Sequence, residues 1–126
     1  MKEADFDMIC GWHIERNMPI PPRDIYPVTT YIAELDGVPI LSCSLFLMNA
    51  PGCAKVENLI GSVNNSVARR EAVPMIFRHI ESIAKAWGYS RLVLFSYEKH
   101  LKEKYEGLGY TRTLENVTTF SKILGD

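Results

Sequence analysis

The dipeptide Asp36-Gly37 constrains this chain more than any other pair of residues. It stands between two runs rich in β-branched and aromatic residues, Val28 to Leu35 and Val38 to Met48. A two-residue turn that follows the twist of its strands needs positive φ at both central positions, and Asp and Gly tolerate that conformation. An antiparallel hairpin is expected there. After the turn-forming Asn49-Ala50-Pro51-Gly52, Ala54 to Val63 reads as a third strand, so three consecutive antiparallel strands fill the first half.

The flanks obey other periods. Asp5 to Asn17 carries Phe6, Ile9, Cys10, His13 and Ile14 at helical spacing, with Trp12 on or beside that face. In the following MPIPPRDIYP, Pro19, Pro21, Pro22 and Pro27 remove backbone donors and hold an ordered loop with room for one short turn. Further on, Ile76, Ile80, Ile83 and Trp87 lie on one face of a long helix expected from about Pro74, at its first helical position, to a stop at Gly88. Arg91 to Tyr97 reads as a short apolar strand suited to the centre of a sheet. A helix from about Lys99 to Glu106 closes at Gly107-Leu108-Gly109. Two final strands, Tyr110 to Leu114 and Val117 to Leu124, flank a Glu115-Asn116 turn.

Bulk properties bound the function. With 126 residues, 47% of them hydrophobic, the chain suffices for one domain, 1–126, with one core. Lys and Arg (14) balance Asp and Glu (15), so no overall field favours nucleic acid or an anionic membrane. The longest apolar run, Val38 to Leu47, falls far short of the roughly 20 residues of a membrane helix. The amino end lacks the basic start and apolar centre of a signal peptide, so a cytoplasmic location is expected. Cys10, Cys43 and Cys53 form no CxxC, and His13, His79 and His100 show no ligand spacing beside them, which argues against zinc or redox chemistry.

This order of elements, with three local motifs, resembles the GNAT superfamily of acyl-CoA-dependent N-acyltransferases over essentially the whole chain. Tyr105, Glu106, Leu108, Gly109 and Tyr110 are similar to the family's "lYekLGF" ending, YIAELDGVPILSCSLFL to its central hairpin, and KVENLIGSV to its next strand. The resemblance implies an α+β (α/β) architecture, a central mixed, mostly antiparallel sheet of about six strands flanked by helices. No strand-like run precedes the first helix, so the first family strand is expected to be missing.

One segment departs from the family. Where relatives carry R/Q-x-x-G-x-G/A, this chain reads VNNSVARREAVPM. With Arg69 leading, Ala72 and Pro74 take the two small positions; with Ala68 leading, Glu71 and Val73 do, and the first register is preferred. Glycines there let backbone N–H groups approach a pyrophosphate at a helix amino terminus. Arg69 and Arg70 would restore phosphate affinity by charge, or would simply be solvated at a helix start. The resemblance assigns acetyl-CoA (CoA) as cofactor, held between the third and fourth strands of this chain. Its expected contacts are Ser62, Val63, Ser66, Arg69, Arg70, Ala72 and Val73.

Acyl transfer to an amine needs a base for the amine proton and an acid for the leaving thiolate. Glu57, in the strand matching the one that carries acidic bases in relatives, is the candidate base, and otherwise a solvent-facing strand-end residue. Tyr105 matches the family tyrosine near the acyl-CoA sulfur and is the candidate acid, or else an aromatic residue of the core. Trp12, Tyr26 and Tyr31 fit either ordinary packing or a substrate pocket. The expected function is N-acetyl transfer from acyl-CoA to a primary amine, carried by a small molecule or a peptide. The alternative is a non-catalytic GNAT-fold binding or assembly module that has lost CoA or holds it without turnover. A homodimer, pairing an edge such as Val117 to Leu124, is an expectation from the family.

Overall fold

The computed structural model describes residues 1–49, 52–64, 66–95, 99–113, 120 and 122–125, without the side chains of 99 and 100. Two compact units divide the chain, Met1–Phe95 and Ser96–Asp126. The first contains α1 (Glu3–Glu15), a 3-10 turn (Arg23–Ile25), β1 (Thr30–Leu35), β2 (Val38–Phe46), β3 (Ala54–Gly61), α2 (Ser66–Ala86) and β4 (Leu92–Leu94). The second contains α3 (Lys99–Gly107). No helix among the described residues is long and apolar enough to cross a membrane.

The expected hairpin forms. Asp36 and Gly37 have φ of 52° and 76°, and Leu35 pairs with Val38 directly across the turn. The sheet order is β1-β2-β3-β4. β1, β2 and β3 run antiparallel, whereas β4 joins β3 in parallel. The sheet is thus mixed and mostly antiparallel, with helices against it.

Alternation along the strands sorts the two faces. Ile32 and Ile60 pack with Ile9, Trp12 and Tyr26 under α1. Their neighbours turn the other way: Tyr31 meets His79 of α2 edge to face at 5.1 Å. On that second face α2 buries Ala72, Val73, Ile76, Phe77, Ile80 and Ala84. Gly61 also looks toward α2, and a Cβ there would stand 2.7 Å from Ile40 O and 2.9 Å from Leu41 Cβ, so only glycine lets the end of β3 lie this close.

Several expectations need correction. α2 begins at Ser66, eight residues before Pro74, which lies inside the helix. A proline there removes one backbone hydrogen bond, but burial of Ala72 and Val73 against the sheet holds the turns on either side together. Trp87, expected on the buried face, lies past the helix end and is 58% exposed. Ile14 is also exposed, and the buried residues of α1 are Ile9, Trp12 and His13. β4 is half-buried and the last strand in the described order; part of the final strands that would flank it lies outside the described residues. Four strands are described where about six were expected. Residues 110–113, 120 and 122–125 carry no regular structure, and the rest of the two final expected strands lies outside the described residues.

Ser42 is wholly buried on the α1 face, and its hydroxyl finds no hydrogen-bond partner among the described residues. An unsatisfied buried hydroxyl costs about 1–3 kcal/mol. Ser42→Ala is therefore expected to raise the unfolding temperature by a few degrees. A fall measured by calorimetry would mean that an ordered water holds the hydroxyl.

In the second unit, Gly109 has φ of 95°. The Leu108 and Tyr110 N–H groups both return to Tyr105 O, at 3.0 and 3.1 Å, ending α3 as the glycine-rich sequence requires.

Candidate active site

The parallel pairing of β3 with β4 is short. It runs from Ala54 with Leu92 to Val56 with Leu94, whereas β3 continues to Gly61. Beyond Val56, among the described residues, β3 has a partner on its β2 side only. A β-bulge begins there: Glu57 registers with Ser44 and Ile60 with Ser42, leaving Asn58 and Leu59 opposite the single residue Cys43. Asn58 adopts a left-handed φ of 61°, a conformation that asparagine tolerates better than most residues.

Glu57 is thus the first residue past the end of the parallel pairing. Its Oε1 lies 3.0 Å from Lys55 Nζ, and its side chain is 41% exposed. Lys55 is fixed from the other side by the ring of Phe95, 5.2 Å from Nζ to centroid. The carboxylate therefore has one oxygen engaged by a cation and the other without a hydrogen bond among the described residues.

The far end of β3 gathers positive charge. Ser62 N donates to Ile40 O at 3.0 Å, toward β2. By alternation the Gly61 carbonyl points to the opposite, open side, and there it accepts from Arg16 Nε at 3.0 Å. Arg69, in the first turn of α2, donates to Ser62 O. Burial, and then the charge of Arg16, pull the Arg69 guanidinium below its ordinary value, though arginine stays charged at any working pH. Neither arginine is ion-paired with a carboxylate among the described residues. The first-turn N–H groups of α2 have no partners within the helix. Two guanidiniums with no carboxylate partner among the described residues, beside the amino end of α2, are a fitting environment for a phosphate-bearing group. Val63 N already faces an anionic oxygen, Glu15 Oε2, at 3.4 Å, which an incoming phosphate would have to displace.

The other expected contacts are scattered. Ser62 and Val63 follow β3, and Ser66 opens α2, all at this end of the strand. Arg70 is exposed, whereas Ala72 and Val73 are buried inside α2 with 0% and 4% of their surface accessible. Their backbone groups belong to the interior of a helix, not to a loop. Arg16 and Asn58 are the residues that sequence reasoning missed. Tyr105 is buried in the second unit, its ring 6.4 Å from that of Tyr110. Trp12 and Tyr26 are buried under α1, while Tyr31 lies on the α2 face.

No protein-family model and no curated protein matches this sequence. Solved structures do. An acetyltransferase of Trypanosoma brucei superposes with a TM-score of 0.69 at 18% identity, over 97% of this chain and 96% of that one. A transcriptional regulator from Bacillus halodurans gives 0.67 at 12% identity, over 96% of each chain. N-acetylglutamate synthase from Neisseria gonorrhoeae, complexed with coenzyme A and N-acetyl-glutamate, gives 0.58 at 16% identity, over 82% of this chain and 25% of that one. The chain has the GNAT fold that its sequence resembles. At such identities the likeness carries the fold, and one fold hosts several functions.

Proposed function

We propose that this chain, read as a single domain over 1–126, is an N-acyltransferase that moves an acetyl group from acetyl-CoA to a primary amine. The carrying observation is the stretch of β3 that is paired on one side only among the described residues, with Glu57 at its start and the pair Arg16 and Arg69 at its end. Such a strand edge suits a long thioester whose reactive end meets a carboxylate and whose phosphates meet guanidiniums.

In this reading Arg16, Arg69, Ser62, Val63 and Ser66 bind the pyrophosphate. Arg70 adds charge from the surface, and Ala72 and Val73 hold α2 to the sheet. Acetyl-CoA supplies an activated acyl carbon. As the amine nitrogen forms its bond to that carbon and the C–S bond breaks, Glu57 takes the nitrogen's proton, directly or through water. Tyr105, assigned by its motif, gives a proton to the leaving sulfur. The bulge at Asn58 and Leu59 removes backbone groups from the β2 ladder, where an N–H can meet the negative charge developing on the acyl oxygen. The acceptor is a small-molecule or peptide amine.

A second reading, a GNAT-fold module without turnover, is favoured by the replacement of the glycine loop with helix and by Glu15 at Val63 N. Binding and turnover separate them. Acetyl-CoA at a hundred times its Kd is expected to stabilise the wild type by about 2.7 kcal/mol. Arg16→Ala is expected to weaken that binding about tenfold through loss of a charge-assisted contact. No shift in unfolding temperature at millimolar acetyl-CoA would remove the acyltransferase reading. A shift without thiol release across a panel of amines would favour the module.

A further inference from the structure

Hydrogen counting on the α1 face fixes an atom beside Glu57. Thr30 Oγ1 lies 2.8 Å from Pro27 O, a pure acceptor, so the single hydroxyl hydrogen of Thr30 goes there. Ser44 Oγ lies 2.9 Å from Thr30 Oγ1 and must therefore be the donor of that pair. With its hydrogen committed, Ser44 Oγ accepts from Asn58 Nδ2 at 3.3 Å. The chain runs one way, from Asn58 to Ser44 to Thr30 to Pro27. Ser44 and Thr30 are 0% and 8% exposed, so bulk water does not compete for these bonds.

This direction prevents the Asn58 amide from flipping. Its Nδ2 is held toward Ser44, and its Oδ1 is turned away, with no hydrogen bond among the described residues. Ser44 is also the cross-strand partner of Glu57. The bulge and the left-handed φ of 61° at Asn58 thus bring its side chain onto the hydroxyl of Glu57's cross-strand partner. Glu57 and Asn58, consecutive in the chain, offer a carboxylate oxygen and an amide oxygen, both pure acceptors.

We propose that Asn58 Oδ1 binds the acceptor amine and makes the site selective for primary over secondary amines. This rests on the acyltransferase reading above. A neutral primary amine has two N–H groups: one donates to Asn58 Oδ1, which orients the lone pair on the acyl carbon. The other is the proton passed to Glu57 as the N–C bond forms and the C–S bond breaks. A secondary amine has one N–H and cannot serve both oxygens. Ser44 and Thr30 touch no substrate and act by positioning Asn58.

The test compares benzylamine with N-methylbenzylamine, and n-hexylamine with N-methylhexylamine, as probes with acetyl-CoA, following thiol release. Wild type is expected to prefer the primary amine by at least about tenfold in kcat/KM, the worth of one hydrogen bond to a reacting group. Asn58→Gly keeps the positive φ and removes Oδ1. It should raise the amine KM about tenfold, leave the acetyl-CoA KM within about twofold, and erase the preference. Asn58→Asp keeps an oxygen at that position but has no N–H to give to Ser44 Oγ, so the preference should fall there too. Full retention of amine KM and preference in Asn58→Gly overturns the proposal while leaving the acyltransferase reading intact. No thiol release from wild type with any probe overturns both.

Discussion

Glu57→Gln is expected to slow acetyl transfer by a factor of about 100 to 10,000, the range that a positioned general base supplies, with almost no change in unfolding temperature. The two halves of that expectation have separate physical origins. Gln has the size of Glu and accepts hydrogen bonds through one oxygen, but it takes no proton at neutral pH. The stability cost is small because the Lys55–Glu57 pair is partly exposed, with side-chain accessibilities of 30% and 41%, and such pairs contribute about 0–1 kcal/mol. Thermal unfolding and single-turnover thiol release on the same preparation check both. Tyr105→Phe should cost less, about tenfold, because a thiolate leaves with modest help from an acid. A Glu57→Gln enzyme that keeps more than a third of its rate would remove Glu57 from the base role, whatever becomes of the family assignment.

The parts of the fold that were legible in the sequence are those set by local chemistry. Asp36-Gly37 reads as a turn because its backbone demand is satisfied by two residues, and Gly109 ends α3 for the same reason. The start of α2 was misread because Pro74 carries a strong local signal for a first helical position. The opposing influence, burial of Ala72 and Val73 against strands far away in sequence, is tertiary. That error bears on the proposed phosphate site as well. Arg69 and Arg70 look like a pair in the sequence, but only Arg69 turns to the end of β3, and its charged neighbour is Arg16 from the end of α1. No local pattern announces Arg16. Asn58 did leave a trace: an asparagine in the run Val56-Glu57-Asn58-Leu59-Ile60 is unfavourable in a strand and tolerant of left-handed φ, which is how a bulge is written.

The largest stability effect is expected at alkaline pH and originates at Cys43. Its side chain is on the α2 face of the sheet, wholly inaccessible, with Sγ 3.5 Å from Glu57 O. Burial pushes this thiol from 9.0 up to about 12, against a smaller downward pull from the Ser44 backbone. Because the folded value lies above the unfolded one, the neutral thiol's advantage is complete below about pH 9. It is lost as pH rises from there to about 12, where the unfolded chain is already ionised. A difference of about three pKa units corresponds to about 4 kcal/mol, a large share of the 5–15 kcal/mol typical of a whole domain. Tyr26, raised from 10.0 to about 12 by burial and then by the charge of Cys10, pulls in the same direction above pH 10. Urea unfolding at pH 8.0, 9.5 and 10.5 should therefore show a steady decline in wild type. Cys43→Ala, which leaves nothing to ionise at that position, should decline less steeply, with Cys10, whose thiol burial and then Asp7 also raise, and Tyr26 accounting for what remains. Equal slopes in the two proteins between pH 9 and 10 would show that the Cys43 thiol ionises as easily folded as unfolded, and native Cys43 would then react with thiol reagents as fast as exposed cysteines do.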